Sequence, residues 1–294
     1  MRTLIIRLLL ASLLWLGTAP VYATPADPHA SPATVALHNY LTNLPNQPDH
    51  RLISGQWGDW RGMEARALAR QERIHDRTGH YPGLWGNTAW NTTKPPTLPQ
   101  TFNLTPTTIT NTINWWKQGG LVDIDGFLPN PSTGGDPNDL TITESYADIY
   151  TENGNATNVN FKATLDQLAG GLQPLEDAGV VVLFRPFMEM NGNWFWWGAN
   201  GDNSQFIALW QYTFHYLTQT KGLHNLLFVF APFREQGTSV MMKYPGDSYV
   251  DIVGADIYDY AAKGGEIFNY DELVATGKPF ALTEFGAPHY GNNP

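Results

Sequence analysis

The chain has 294 residues, a formal net charge of −10, 11 tryptophans and no cysteine. The lack of cysteine excludes disulfides and thiolate metal sites, so stability must come from a large hydrophobic core. The acidic balance argues against nucleic acid or an anionic membrane surface as a partner, because both select for Lys and Arg. Many aromatic residues and only 15% charged residues favour an uncharged, ring-containing ligand.

The N-terminal residues 1–23 have the pattern of a secretory signal. Arg2 and Arg7 precede an apolar run at 8–16, and residues 21–23 offer a cleavage site. We expect a secreted or periplasmic mature chain that begins near Thr24, and no later stretch is apolar enough to span a membrane. Residues 24–48 indicate a linker and N-terminal extension with one short helix, and residues 49–294 indicate a single catalytic domain.

Predicted strands and helices alternate along the rest of the chain. The predicted strands lie at 52–56, 83–86, 121–124, 180–184, 226–231, 251–255 and 280–283, and the predicted helices at 33–43, 62–78, 109–118, 161–178, 203–220 and from 270 onward. Such alternation implies an α/β fold with parallel strands, either a (β/α)8 TIM barrel or an open doubly wound sheet. No glycine-rich phosphate loop follows the first strand, and polar residues follow nearly every strand end, which favours the barrel.

The predicted strand count is seven, whereas a barrel of this kind closes with eight. Either one strand escapes detection, or the barrel is truncated after the seventh strand, and we favour truncation. We therefore expect a gap beside residues 280–283 and a natural chain that continues beyond Pro294 by about one strand-helix unit.

The segment 180–198 concentrates the candidate chemistry. An apolar run at 180–184 predicts a strand buried on both faces, and it ends at Arg185. Glu189 comes next, where a barrel enzyme carries its catalytic residues. Three tryptophans follow: Trp194, Trp196 and Trp197. Tryptophans at this rim can stack on sugar rings, although at least one of the three must belong to the core. The alternative is a solvated loop carboxylate beside tryptophans that plug one end of the fold.

A second glutamate, Glu284, follows the apolar strand predicted at 280–283. Two carboxyl groups at the ends of different parallel strands are the minimum for glycosidic hydrolysis. One protonates the leaving oxygen, and the other attacks the anomeric carbon or activates water. Arg185 is suited to hold a carboxylate ionised, and Tyr258 could donate its hydroxyl to Glu284. The alternatives are a capping or salt-bridged role for Glu284 and a packing role for Tyr258.

The motif R-P-F-M-E-M-N-G-N-W-F-W-W-G at 185–198 resembles the acid/base segment of glycoside hydrolase family 26, the β-mannanase family. Further matching pieces are L-I-S-G-Q at 52–56 and T-E-F-G at 283–286. The resemblance implies a retaining (β/α)8 enzyme. It also implies four roles: Glu189 as general acid/base, Glu284 as nucleophile, Tyr258 as hydrogen-bond partner of the nucleophile, and Trp194 as a stacking residue beside the cleaved bond.

Two positions depart from the family pattern. Met188 stands where typical members carry His, and Gly126-Phe127 stands where they carry a Trp-His pair. We expect Met188 and Phe127 to line the sugar site before the cleaved bond and to change the hydroxyl pattern that is recognised. Trp197 is expected to contribute a further substrate contact.

The function expected from these features is a secreted, retaining endo-β-glycosidase that cleaves a polysaccharide, with β-1,4-mannan the leading substrate. Two alternatives stay open. One is a related β-glycanase for glucan, xylan or an exopolysaccharide, and the other is a non-catalytic glycan-binding barrel. We expect a monomer that requires no cofactor and no metal ion.

Overall fold

The computed structural model describes residues 23–49, 51–58, 68–91, 101–102, 104–234, 237–258, 267 and 269–286. The secretory signal is predicted for residues 1–23, of which 1–22 lie outside these ranges. Within them, none of the helices combines the length and the apolar character that a membrane crossing requires.

The described strands, in chain order, are β1 (Gly55–Trp57), β2 (Leu84–Thr88), β3 (Trp90–Asn91), β4 (Thr101–Phe102), β5 (Leu121–Asp125), β6 (Val182–Arg185), β7 (Leu226–Phe230), β8 (Ile252–Tyr258) and β9 (Phe280–Gly286). Strands β3 and β4 form an antiparallel pair that the sequence did not predict. The other seven are parallel and neighbour one another in chain order, β1-β2-β5-β6-β7-β8-β9. This sequential order is that of the (β/α)8 barrel, so the predicted fold class and its seven strands are confirmed.

The two edges of the parallel sheet, within the described residues, are β1 and β9. Strand β9 is poorly covered, because Leu282 is 42% exposed and Phe285 60% exposed. Strand β8, which pairs with β7 on one side and with β9 on the other, is buried along nearly its whole length.

The described helices are α1 (Pro32–Asn43), α2 (Ala69–Thr78), α3 (Pro106–Lys117), α4 (Ala156–Asp177), α5 (Trp196–Ala199), α6 (Asn203–His215) and α7 (Tyr270–Val274). Helix α4 begins five residues before its predicted start because the Asn155 side chain accepts a hydrogen bond from the Asn158 N–H and caps it. Helix α6 ends at His215 and continues as a π turn, Tyr216–Thr220. The described residues also include four short 3₁₀ helices: Leu44–Asn46, Tyr146–Ile149, Val240–Lys243 and Asp247–Tyr249.

The parallel sheet has an apolar layer on each of its faces. Alternate residues such as Val182 and Phe184 face the outer helices in one large cluster. The other set forms a second cluster inside the curve of the sheet, and its buried members are Leu37, Val181, Leu183, Leu227, Val229, Ala231 and Ile252. Inward-facing positions near the C-terminal ends of the strands are polar, among them Asp125, Arg185 and Asp256. This rim therefore carries the side chains that could act in catalysis.

Helix α1 packs at the end of the sheet where the strands begin. Its Leu37 belongs to the inner cluster, and its N-cap Ser31 donates a backbone hydrogen bond to the His224 carbonyl, two residues before β7. Just upstream, the Ala26 N–H donates to the Asp251 carboxylate, immediately before β8. The helix therefore lies opposite the rim that carries the candidate site.

Candidate active site

The C-terminal ends of β6, β8 and β9 bring four of the predicted residues together. Arg185 is the last residue of β6 and Tyr258 the last of β8, and Glu284 lies within β9. Glu189 follows Arg185 by four residues. Strand register aligns Asp125 with Arg185 and Asp256 with Glu284, so the members of each pair point to the same side of the sheet.

Arg185 is the electrostatic centre of this group and is fully buried. Its Nη1 lies 3.0 Å from Glu284 Oε1, and its Nη2 lies 3.4 Å from Asp125 Oδ2. Two further carboxylates approach to 3.5 Å, Asp123 at Nε and Asp256 at Nη1. One guanidinium thus serves four carboxyl groups, and its closest partner is Glu284.

The three aspartates cannot all be ionised beside a single cation. Burial raises the pKa of Asp123 to about 6, against the lowering effect of Arg185. Burial also raises the pKa values of Asp125 and Asp256 well above their usual range. These shifts favour the protonated forms of Asp125 and Asp256, and Glu284 is the carboxylate closest to the charge of Arg185.

Glu284 receives two strong interactions, one at each carboxylate oxygen. Arg185 binds Oε1, and the Tyr258 hydroxyl donates to Oε2. Burial and the Glu284 charge raise the pKa of Tyr258, so its hydroxyl keeps the proton that it donates. Trp57 covers the guanidinium from the other side, with Arg185 Cζ 5.1 Å from its ring centroid. Gly86 permits this arrangement, because a Cβ there would lie 2.8 Å from the Trp57 ring.

Glu189 has a different environment. Its φ is +49°, in the left-handed region that non-glycine residues rarely occupy, at a cost of about 1–3 kcal/mol. Its Oε2 accepts a hydrogen bond of 2.6 Å from Trp194 Nε1. Burial, followed by the charge of Glu284, raises the pKa of Glu189 to about 7, while Trp194 and Arg185 act in the opposite direction. A carboxyl group poised near neutral pH is suited to general acid and base catalysis.

The two glutamates are close to each other. Carboxylate oxygens of Glu189, Asp256 and Glu284 all lie within 4.8 Å of one another. Three such oxygens could ligate a cation, but Arg185 already supplies positive charge to two of the three residues. A separation of this size matches the short distance between the two carboxyls of retaining glycosidases and leaves no room for an intervening water.

The tryptophans after Glu189 divide between the site and the core. Trp194 is half-buried and packs edge-on against Phe233, with ring centroids 5.2 Å apart. Trp196 and Trp197 are fully buried. The Trp197 Nε1–H donates to the Met188 carbonyl at 2.9 Å. The expectation that Trp197 contacts substrate is therefore corrected: it supports the segment that carries Glu189 from below.

Met188 and Phe127, the two departures from the family pattern, lie next to Trp197. Met188 immediately precedes Glu189 and is only 8% exposed. Phe127 is half-buried, has a φ of +37°, and packs edge-on against Phe195 and Trp197. The structure thus brings Phe127 and Met188 to the same aromatic cluster.

Several residues of the site escaped the sequence analysis. Asp123, Asp125 and Asp256 were visible only as polar residues in or after predicted strands, and nothing in the sequence showed that they share Arg185. Alternation within β5 was the available signal, because Asp123 and Asp125 interrupt an apolar strand at every second position. Lys243, which reaches the Glu189 segment from a 3₁₀ helix, gave no sequence signal.

Comparison with known proteins relates this site to a family. The profile of Glycosyl hydrolase family 26 matches residues 26–293. A mannan endo-1,4-beta-mannosidase of Bacillus subtilis (strain 168) is 34% identical over 271 residues, covering 90% of this chain and 73% of the relative. The solved structure of Bacillus subtilis mannanase man26 superposes with a TM-score of 0.81 at 33% identity, covering 92% of this chain and 82% of that one. The Podospora anserina GH26-CBM35 beta-(1,4)-mannanase gives a TM-score of 0.72 at 27% identity, over 92% and 59% of the two chains. Because the family profile spans nearly the whole chain, this protein is a glycoside hydrolase and belongs to glycosyl hydrolase family 26.

Proposed function

We propose that this protein is a secreted, retaining endo-β-1,4-mannanase in which Glu284 is the nucleophile and Glu189 the general acid/base. The observation that carries the proposal is the pair of carboxylates within 4.8 Å at the rim of a family 26 barrel. Mannan is the substrate class because the similar proteins are named as mannan-cleaving enzymes.

The nucleophile must be ionised, and the contacts of Glu284 favour that form. Arg185 and Tyr258 both donate to its carboxylate, which stabilises the negative charge. Glu284 attacks the anomeric carbon and forms a covalent glycosyl-enzyme, while the glycosidic oxygen leaves with a proton. The hydrogen bond from Tyr258 and the ion pair with Arg185 hold the attacking oxygen in place.

The acid must be protonated at the start, and the environment of Glu189 favours that form. Its pKa of about 7 keeps a large share of the carboxyl protonated near neutral pH. Glu189 gives this proton to the leaving oxygen. Formation of the glycosyl-enzyme consumes the charge of Glu284, which removes one cause of the raised pKa of Glu189. Glu189 is then a carboxylate that can take a proton from the incoming water.

The test is nucleophile replacement with chemical rescue. Glu284→Ala is expected to abolish mannan hydrolysis, and added azide should restore turnover with an α-mannosyl azide product of inverted configuration. Glu189→Ala, assayed on a substrate with an activated leaving group, should instead give a β-mannosyl azide. Normal activity of Glu284→Ala would refute the assignment of the nucleophile.

A related β-glycanase for another backbone is the second candidate, and Met188 with Phe127 favours it. Neither side chain can form the hydrogen bonds of histidine, and loss of a polar contact to a hydroxyl weakens discrimination between sugars. Initial rates on β-mannan, β-glucan and xylan decide between the candidates. The presence of two opposed acids, which binding alone does not require, argues against a purely glycan-binding barrel.

Export rests on the signal pattern of residues 1–23. Expression in a bacterial host with a Sec pathway, followed by N-terminal sequencing of the exported protein, is expected to give a chain that begins near Thr24. Retention of Met1 on an exported or cell-bound protein would contradict it.

A further inference from the structure

Lys243 is a partly buried cation without a carboxylate partner among the described residues. It lies at the end of the 3₁₀ helix Val240–Lys243, and its Nζ donates to two backbone carbonyls, Met190 O at 2.8 Å and Gly198 O at 2.9 Å. The same nitrogen lies 5.4 Å from the centroid of the Phe206 ring. Burial lowers the pKa of Lys243, so holding the charged form there costs free energy. A surface lysine in a purely solvated role would not incur this cost.

The carbonyls that Lys243 binds belong to the two ends of the segment 190–198, which directly follows Glu189. Residues 190 and 198 are brought together because Gly198 has no side chain. A Cβ at this position would lie 2.4 Å from Gly192 O and 2.8 Å from Met190 O. Several carbonyl oxygens therefore converge in a small space, and the ammonium compensates their partial negative charges. Only lysine offers more than two donors on one compact nitrogen at the end of a long side chain.

The remaining peptide groups around Glu189 are also held. The Glu189 N–H donates to Ala231 O at 2.8 Å, and the Gly192 N–H donates to Glu189 O at 2.9 Å. The Asn191 side chain forms two hydrogen bonds with the Phe233 backbone. Its Nδ2 donates to the Phe233 carbonyl at 2.6 Å, and its Oδ1 accepts from the Phe233 N–H at 2.9 Å. In this network Lys243 is the charged member that binds the residue directly after the strained Glu189.

We propose that Lys243 is a positioning residue that fixes the general acid/base Glu189 for proton transfer to the leaving oxygen. A residue with φ of +49° relaxes to a more favourable backbone unless its neighbours are held. Loss of the clamp at Met190 lets the segment relax and moves the carboxyl away from the glycosidic oxygen. The inference rests on the proposed function, since it assigns a role in delivering the proton of Glu189.

The experiment compares substrates that differ in their need for an acid. Mannan has a poor leaving group and requires protonation, whereas a dinitrophenyl β-mannobioside has a leaving group that departs without it. In Lys243→Met, kcat/KM for mannan is expected to fall by about 10²-fold, because misplacement of a reacting group by about 1 Å costs that much. The kcat/KM for the dinitrophenyl substrate should stay near the wild-type value. Lys243→Arg, which keeps the charge and the donors, should recover part of the mannan activity.

Lys278→Met is the matched control. Lys278 is also a lysine whose pKa is lowered by burial, and its Nζ donates to the backbone carbonyl of Asp247 at 3.0 Å, at the end of the sheet opposite the site. Thermal unfolding of both variants measures any loss of stability, and only Lys243→Met should change the ratio of the two kcat/KM values. An unchanged ratio in folded Lys243→Met would overturn the inference. A wild-type enzyme that cleaves neither substrate would instead overturn the proposed function.

Discussion

Trp194 controls the proton of Glu189 through a single hydrogen bond, and its removal gives a directional test. The indole N–H donates to Glu189 Oε2 at 2.6 Å and lowers the pKa of that carboxyl by stabilising its ionised form. Trp194→Phe keeps an aromatic ring but removes the donor. The protonated form of Glu189 is then favoured, so its pKa should rise above the present value of about 7.

The size of the shift follows from the strength of the bond. A hydrogen bond to a charged group contributes about 1.5–3 kcal/mol, and each pKa unit corresponds to about 1.4 kcal/mol. Glu189 is partly exposed, so water replaces part of the lost interaction. We therefore expect the pKa of Glu189 to rise by about one unit.

The alkaline limb of the kcat/KM profile for mannan reports this pKa in the free enzyme. In Trp194→Phe the limb should move from about pH 7 to about pH 8. The plateau should also fall, because the carboxyl loses a contact that orients it. Phe233→Leu, which removes a ring packed against Trp194 but no donor, is the control and should leave the limb in place. A limb that is unmoved or displaced to lower pH in Trp194→Phe would refute the reasoning.

Three further predictions concern Arg185, pH and substrate choice. Arg185→Met removes the cation shared by four carboxyl groups. The free energy of unfolding, measured in urea, should fall by about 3–5 kcal/mol. A loss below about 1 kcal/mol would contradict the central role of Arg185. The pKa values of Asp123 and Glu189 are raised to about 6 and about 7. These groups therefore contribute fully to the free energy of unfolding below about pH 4, the ordinary carboxyl pKa of the unfolded chain, and this contribution is lost as pH rises through the two raised values. The melting temperature should therefore decline across this window, and a decline equally steep in Glu189→Gln would show that Glu189 has no part in it. The double variant Met188→His and Phe127→His should raise the ratio of mannan to glucan hydrolysis by about tenfold or more. Met188→Leu is the control. An exclusive mannanase activity in the wild type would contradict this expectation.

The strand order and the rim residues could be predicted because both depend on local patterns. An apolar run that stops at Arg185, followed by Glu189, is typical of the end of a buried parallel strand. The same pattern recurs before Glu284. Parallel strands present their C-terminal ends at one edge of the sheet. The proximity of these residues could therefore be predicted without knowing the geometry of their side chains.

The parts that could not be predicted depend on packing between distant segments. Four consecutive aromatic residues, Trp194 to Trp197, give no periodicity that separates the ring near Glu189 from the rings in the core. The left-handed backbone of Glu189 and the reach of Lys243 depend on carbonyls that converge only after folding. The shared cation at Arg185 depends on the register of four strands, which the sequence of any one strand does not specify.

The assignment of the nucleophile is tested most directly by trapping the covalent intermediate. A deoxyfluoro-mannosyl fluoride reacts with a retaining β-mannosidase to give a stable glycosyl-enzyme. The ring fluorine destabilises the oxocarbenium-like transition states of both steps, and the anomeric fluoride is a good leaving group that keeps the first step fast enough for the intermediate to accumulate. Intact-protein mass should increase by one deoxyfluoro-mannosyl group, and peptide mapping should place it on Glu284, with no label in Glu284→Ala. A label on Glu189 or another residue, or no label on an enzyme that cleaves mannan, would contradict the account.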